Sequence, residues 1–541
     1  MRNIVETIVV SAEQMQQIES QIFAAGMPVA ALMEKAATLC AEKIKSLYPL
    51  PQNISVGILV GPGHNGGDAL VIARELYLAG YQIKVYRPLS KLKQLTTQHA
   101  DYVASLGITF YEEIQPLKEC QLIIDGLFGF GLTRDLTDNI ALAINLLNSW
   151  SERPRRPKGY RSAYETTGLP LTSSKPIVSI DLPSGINTDT GAVMGVAIKA
   201  THTLCLGLWK RAFFQDRALE YLGNSARIDF GLLQHHIWSI LPQPASIRQI
   251  TKAIALDFLP LPRPAVTYKY RQGHLLLICG SRRYTGAAIL TALGARASGV
   301  GMLSVAVPES LKSLLTSHLP EALIVGCPEN KEGAIASLPF SSDDLSQFDL
   351  IACGPGLTTD AQSVVTKVLK SECPIVLDAD GINILAEQNV AEVLNDRSNS
   401  TILTPHIGEF KRLFPEITEI DDRLTAVQTA AEKSSAIILL KGAKTAIANS
   451  QGLIWLIPES TPALARGGSG DILTGLTAGL AAQSNKTQTS SLFDAVATAA
   501  WWHAQAGIKA AKDHTELGVD ATTLARYLTP TINELFNKAN S

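Results

Sequence analysis

Short apolar segments of strand length, each ending in a glycine- or aspartate-rich turn that runs into a helical stretch, recur along this 541-residue chain in two runs. No other feature constrains the fold as much. Strands alternating with helices predict parallel sheets covered by helices on both faces. The chain is too long for one core, so at least two domains are expected. The fold class that follows is α/β, with two doubly wound domains.

The first run begins with a capping box, Ser11-Ala12-Glu13-Gln14, opening a helix through about residue 23, and a second helix is predicted over 29–46. Residues 54–60 read as a buried strand. The strand ends in Gly61-Pro62-Gly63-His64-Asn65-Gly66-Gly67-Asp68, and a helix is predicted over 69–79. Gly61, Gly63 and Gly66 satisfy the dinucleotide fingerprint, but Arg87 stands after the next strand, 82–86, where that fingerprint wants an acid. A tight strand–helix turn accounts for the glycines and leaves His64, Asn65 and Asp68 unexplained. Residues 122–125 end in Asp125 ahead of Gly126-Leu127-Phe128-Gly129-Phe130-Gly131, and residues 177–181 end in Asp181 ahead of Leu182-Pro183-Ser184-Gly185.

Ligands of parallel sheets bind beyond the carboxyl ends of the strands. Asn65, Asp125, Asp181 and Ser184 are therefore expected to converge, although a lone aspartate after a strand is usually a turn or cap residue. Asp181, ending a buried strand beside an apolar cluster, is the candidate proton carrier. Residues 151–174, with Arg153, Arg155, Arg156 and Lys158, read as an exposed excursion. Strands near 202–206 and 226–230 would finish the sheet. A proline-rich stretch over 232–264 places the boundary near residue 240, with domains at 1–235 and 245–541.

In the second run, strands at 274–279, 302–307, 350–353, 374–377, 401–404 and 436–440 lead into polar turns. The turn richest in chemistry is Gly467-Gly468-Ser469-Gly470-Asp471, opening an apolar helix. The first amides of a helix lack intrahelical partners and carry partial positive charge, so glycines there let them crowd around a phosphate. Asp471 at the helix start could take a proton from a hydroxyl facing that phosphate. The alternative is a glycine turn capped by Asp. No G-x-x-x-x-G-K-[ST] occurs, which excludes a P-loop at the level of the motif. Lys441-Gly442-Ala443-Lys444-Thr445 could wrap a nucleotide or simply turn a hairpin. His406 and Glu409 would share a helix face, or Glu409 caps the helix. Asp378 and Asp380 could hold Mg²⁺ through water or only end a strand. Trp501, Trp502 and His503 read as core packing.

With 46% hydrophobic and 18% charged residues and a net charge of −2, the chain suits buried globular domains and offers no basic face for nucleic acid or an anionic membrane. Its seven cysteines are dispersed without metal spacing, no apolar run would span a bilayer, and the N-terminus does not resemble a signal peptide. A cytoplasmic protein acting on small molecules is expected, as a homo-oligomer with neither nucleic-acid nor membrane partners.

Taken together and in order, GPGHNGGD, the stretch around 125–135 and DLPSG, then GSRRYTGAA, CGPG, LDADGINIL, TPHIGEF, KGAKT and GGSGD, resemble the bifunctional NAD(P)HX repair enzymes over nearly the whole chain. The resemblance implies a Rossmann-like epimerase domain fused to a ribokinase-like dehydratase domain. The first interconverts R and S forms of NADHX and NADPHX, NAD(P)H hydrated at the C5=C6 bond. The second dehydrates the S form using a nucleotide, ADP in bacterial-type members and ATP in eukaryotic ones, by phosphorylating the ring hydroxyl. It implies substrate contacts at His64, Asn65, Gly66, Gly67, Asp68, Gly129, Phe130, Gly131, Leu132, Thr133, Arg134, Asp135 and Asp181. Potassium would be held by Asn65, Asp125 and Ser184, oxygen donors suited to a hard cation. In the second domain it implies substrate at Ala287, Gly356, His406 and Asp471, with nucleotide at Lys441, Gly442, Ala443, Lys444, Thr445 and Gly470. His406 stands where sugar kinases usually carry Asn. The competing reading is a vitamin or sugar kinase fused to a dinucleotide-binding module.

Overall fold

In the computed structural model, which describes residues 2–50, 54–151 and 175–540, the chain forms two compact units, 1–245 and 246–541. In the first unit seven parallel strands are β1 (Ser55–Val60), β2 (Gln82–Tyr86), β3 (Thr109–Tyr111), β4 (Leu122–Gly126), β5 (Ile177–Ile180), β6 (His202–Leu206) and β7 (Asn224–Ile228). Their order across the sheet is β3-β2-β1-β4-β5-β6-β7. Order therefore reverses between β1 and β4, which opens a crevice beyond their carboxyl ends. Val56, Ile58, Leu59, Val60, Ile123 and Ile124 are wholly buried, as strands covered on both faces must be.

Helix α1 (Ala12–Ala24) carries the expected capping box: Gln14 N donates to Ser11 Oγ at 3.1 Å and Ser11 N donates to Gln14 Oε1 at 3.0 Å. Helix α2 (Val29–Leu47) packs on α3 (His64–Leu78). That third helix starts five residues before the expected 69, within the polar string. Gly63 provides an extended cap, and Gly66 passes so close to Gly61 that a Cβ would lie 2.0 Å from the Gly61 carbonyl oxygen. The glycines let the helix begin at once, which puts Asn65 and Asp68 on its first turns. The last strand lies at 224–228 rather than 226–230. Ile237, Leu241 and Ala245 share a core with Met15 and Phe230, so the segment expected to link the domains packs in the first unit. Of the expected excursion at 151–174, residues 152–174 lie outside the described residues.

The second unit is a ten-stranded sheet: β8 (Ile247–Gln249), β9 (His274–Ile278), β10 (Met302–Pro308), β11 (Leu323–Cys327), β12 (Leu350–Cys353), β13 (Ile375–Leu377), β14 (Thr401–Leu403), β15 (Ile437–Leu440), β16 (Ala446–Ala448) and β17 (Ile454–Leu456). Its order is β8-β17-β16-β15-β14-β13-β12-β9-β10-β11, parallel except that β16 runs against its neighbours. The switch point lies between β9 and β12. Helix α4 (Thr285–Ala297) follows β9, and α5 (Ser469–Thr487) begins at the glycine-rich turn. The two helices touch backbone to backbone: a Cβ on Gly475 would stand 1.8 Å from Thr291 O, and one on Gly294 2.2 Å from Ile472 O. Trp501 and Trp502 are buried in the adjoining helix α6 (Leu492–His514), as expected of core residues.

Candidate active sites

At the switch point of the first unit the loops after β1 and β4 interlock, since a Cβ on Gly61 would overlap Leu127 O at 1.6 Å. Asp125 ends β4 in full burial, with all four acceptor positions of its carboxylate used. Ser179 Oγ (2.7 Å) and Ser184 N (2.9 Å) donate to Oδ2, and Ser184 Oγ (2.6 Å) and Leu127 N (3.2 Å) to Oδ1. Burial pushes the carboxyl up from its ordinary range, against the pull of those hydrogen bonds. The Ser184 hydroxyl also receives Phe128 N at 2.9 Å. Asp125 and Ser184 thus tie the ends of β4 and β5 to the loop that carries Gly129.

Asp181 takes a left-handed φ of +65°, rare for a residue with a side chain, at the end of β5. Its surroundings are not the apolar cluster expected. Lys210 Nζ lies 2.5 Å from Oδ1, and both side chains are sealed from solvent. Oδ2 accepts from Phe130 N at 3.2 Å. A Cβ on Gly129 would lie 3.3 Å from both Oδ2 and the Asn65 side chain, so Asn65, Gly129 and Asp181 meet around one space. The Asn65 Nδ2 is buried there without a partner. Asp68 faces the same charges: burial, then Asp181 and Glu19, push it well above the carboxylate range. Glu19 is pushed up to about 7 by burial, with Lys210 pulling it down and Asp181 raising it. Burial also lowers His64. Within the run from Gly129, Leu132 turns its side chain into the core with Leu136 and Ala143, leaving only its backbone for a ligand, while Thr133, Arg134 and Asp135 are exposed beyond. Arg87, weighed as a 2′-phosphate group, instead stacks 5.4 Å from the Phe110 ring.

In the second unit Gly280 N donates to Pro355 O at 2.8 Å, joining the loops after β9 and β12. A Cβ on Gly356 would fall 2.8 Å from that of Ala287, so these two candidates adjoin at the switch point. Gly468 is left-handed (φ +87°) and starts α5, leaving Asp471 in its first turn. Burial, then Asp378, push the Asp471 carboxyl up to about 6, while Lys441 draws it down. Lys441 Nζ bonds Asp378 Oδ1 at 2.8 Å and would lie 3.6 Å from a Cβ on Gly470. Thr474 Oγ1 holds the other Asp378 oxygen at 2.6 Å. Burial alone would lower Lys441, yet Asp378, Glu409 and Asp471 together keep it above its ordinary value. Residues 441–445 form the β15–β16 hairpin turn, with Gly442 and Ala443 exposed and Lys444 anchored on Pro458 O. Thr445 Oγ1 donates to Gly442 O at 3.3 Å. His406 caps the helix Ile407–Leu413: its Nδ1 accepts from Gly408 N at 2.9 Å, and Glu409 Oε2 accepts from His406 N at 2.9 Å. The face shared by His406 and Glu409 is that capping box.

Asp378, weighed with Asp380 as a water-mediated Mg²⁺ holder, accepts from Lys441 and Thr474, and Asp380 Oδ2 receives Thr358 N at 2.8 Å. Among the described residues no three acidic, His or Cys side chains gather as a metal cage. Sequence reasoning missed Lys210, Glu19 and Thr474. A lysine between Trp209 and Arg211 just past a buried strand was the available signal for the first, whereas Glu19 sits in an ordinary amphipathic helix. His503, read as packing, is buried and also holds the turn, its Nε2 3.0 Å from Ser469 O.

A family described as NAD(P)H-hydrate dehydratase matches residues 275–530, and one described as YjeF-related protein N-terminus matches 29–212. The chain is 54% identical to the bifunctional NAD(P)H-hydrate repair enzyme of Synechocystis sp., over 96% of this chain and 94% of that one. It is 47% identical to the corresponding protein of Thermosynechococcus vestitus, over 97% of each. A solved ADP/ATP-dependent NAD(P)H-hydrate dehydratase of Bacillus subtilis, co-crystallised with ATP/Mg²⁺, is 31% identical over 53% of this chain and 97% of that one, with a TM-score of 0.45.

Proposed function

This chain belongs to the bifunctional NAD(P)H-hydrate repair enzymes, and from that premise we propose how its residues divide the work. The protein epimerises the R and S hydrates of NADH and NADPH and dehydrates the S hydrate. The kinase-plus-dinucleotide-module reading is set aside with that membership.

Hydration of an enamine C5=C6 bond leaves the hydroxyl on C6, beside the ring nitrogen. In the second unit Asp471 takes the hydroxyl proton as the oxygen attacks the terminal phosphorus of the nucleotide. The departing nucleotide is shorter by one phosphoryl group. The ring-nitrogen lone pair then expels phosphate from C6, and loss of a C5 proton restores the double bond. The amides at the start of α5 and the Lys441 ammonium face the phosphate oxygens, and Gly470 keeps the approach clear. The observation that carries this reading is a carboxyl pushed up to about 6 in the first turn of a glycine-opened helix, with a lysine beside it. ADP is the proposed donor and ATP the alternative. Mg²⁺ would arrive on the phosphates, since Mg²⁺ keeps waters and needs few protein ligands.

In the first unit Asp181 moves the proton that epimerisation requires. Removing the C6 hydroxyl proton makes a carbonyl as the C6–N bond breaks and the nitrogen takes a proton. Reclosure on the other face and return of the proton give the other epimer. His64, Asn65, Gly66, Gly67, Asp68 and the run 129–135 would hold the substrate. The oxygens of Asn65, Asp125 and Ser184 suit potassium in kind. Asp125 can share an oxygen with the ion once the Ser184 hydroxyl turns its proton toward Phe128 O, 3.2 Å away. The Asn65 Oδ1 borders the Gly129 loop, 3.3 Å from where a Cβ on Gly129 would stand. The seven cysteines, all free and buried, support a reducing compartment such as the cytoplasm.

The test follows NADH absorbance when the full chain meets separated R- and S-NADHX with ADP or ATP. Asp471→Asn is expected to stop return of NADH while R and S still exchange. Asp181→Asn is expected to stop catalysed exchange while S is still consumed. Wild-type exchange in Asp181→Asn refutes its role.

A further inference from the structure

We propose that Lys210 is a positioning residue for epimerisation, gripping the Asp181 carboxylate so that one oxygen, Oδ2, is presented to the reacting hydroxyl. The inference rests on the reading of Asp181 as the proton carrier. Lys210 lies in a short ladder, Trp209–Lys210 against Val9–Val10, just past the end of β6. Its side chain is 1% exposed and that of Asp181 3%, so neither charge is met by bulk water. The ammonium protons are committed to Asp181 Oδ1 at 2.5 Å, the Leu206 carbonyl, and Cys205 Sγ at 3.8 Å. An ammonium so engaged has no proton left for a substrate, and its influence must pass through Asp181.

The two carboxylate oxygens are treated differently. Oδ1 receives Lys210 and also Leu206 N at 3.3 Å. Oδ2 receives Phe130 N at 3.2 Å and borders the space shared with Asn65 and Gly129. The left-handed backbone at Asp181 persists only where its surroundings over-determine it, and the double grip on Oδ1 does so. Two carboxyls, Glu19 and Asp181, act on this one ammonium, and Asp181 is the one it touches. A neutral residue at 210 would leave that carboxylate buried without its partner, free to rotate or take up a proton.

Full-length protein carrying Lys210→Met or Lys210→Arg is assayed on R-NADHX, with Asp181→Asn alongside. Lys210→Met is expected to lower kcat for exchange by about 10²-fold or more with KM within about threefold, and Lys210→Arg to recover about tenfold of that loss. A packing role would instead raise KM and lower kcat together, with Arg no better than Met, and that result overturns the proposal. So does wild-type kcat in Lys210→Met. Should Lys210→Met lose its fold by thermal melting, Lys210→Arg decides: a smaller kcat loss than Asp181→Asn at unchanged KM supports the proposal, and inactivity equal to Asp181→Asn in a folded protein overturns it. An active Asp181→Asn refutes the underlying reading; an inactive Asp181→Asn beside an active Lys210→Met refutes the role of Lys210 alone.

Discussion

Asp471 keeps its proton to about pH 6 because burial and Asp378 outweigh Lys441. A base must be ionised to act, so dehydration is expected to fall as pH drops through about 6. Stability runs the other way. A carboxyl raised from 3.8 to about 6 contributes stability that is complete below 3.8 and lost as pH rises through 6. Asp471→Asn removes that loss and gives up no side-chain cap, because the helix starts on Gly468 without one, so its melting temperature should exceed wild type at pH 8 and match it at pH 3.5, while turnover falls by at least about 10²-fold. Equal melting temperatures at pH 8 would show that the ionised carboxylate is not strained by its surroundings. Gly470→Val should do the converse to function. Its Cβ arrives 3.6 Å from Lys441 Nζ and its branches fill the approach to the turn, so nucleotide affinity falls in a titration before chemistry is affected.

At the scale of elements, the second site depends on two helices in backbone contact. Gly475 sits one turn past Asp471, and a methyl there would drive into Thr291 O. Overpacking of this kind typically costs about 1–3 kcal/mol. Gly475→Ala is therefore expected to lower the melting temperature of the second unit and weaken dehydration, with R/S exchange retained. An unshifted transition would mean that the helices part without cost. The His406 cap joins its helix to the end of β14 in the same way, through hydrogen bonds from Gly408 and Glu409 amides to one ring nitrogen. A capping histidine is held still, and its Nε2 lies 3.5 Å from Glu409 Oε1.

On the scale of the whole molecule, each unit has its own sheet, its own switch point and its own site. Residues 246–541 alone should dehydrate S-NADHX and leave R-NADHX to spontaneous exchange. Consumption of R faster than that by the fragment would show that the sites are not divided as proposed. Exchanging potassium for a large organic cation should weaken R-epimer binding to the full chain and leave the nucleotide titration unchanged. Loss of both activities on exchange would place the cation elsewhere.

Local chemistry was legible wherever it is written in consecutive residues. Strand–turn–helix alternation, the capping box at Ser11, the glycine-opened helix at Asp471 and the three strand-end clusters of the first unit all come from short-range periodicity and turn geometry, which a sequence carries directly. Helix starts were less exact: the helix at His64 begins early because Gly66 tolerates contact with Gly61 O, a close approach that no local pattern announces. Long-range electrostatics were illegible. Lys210 is 29 residues from Asp181, and Thr474 is 96 from Asp378, so their contacts exist only because β6 lies beside β5 and α5 packs under the β13 turn. The sequence alone determined which groups are available and which turn each sits on. The tertiary structure decided which of them share a buried space, and burial is what converts an ordinary carboxyl or ammonium into one with a shifted charge state and a single orientation.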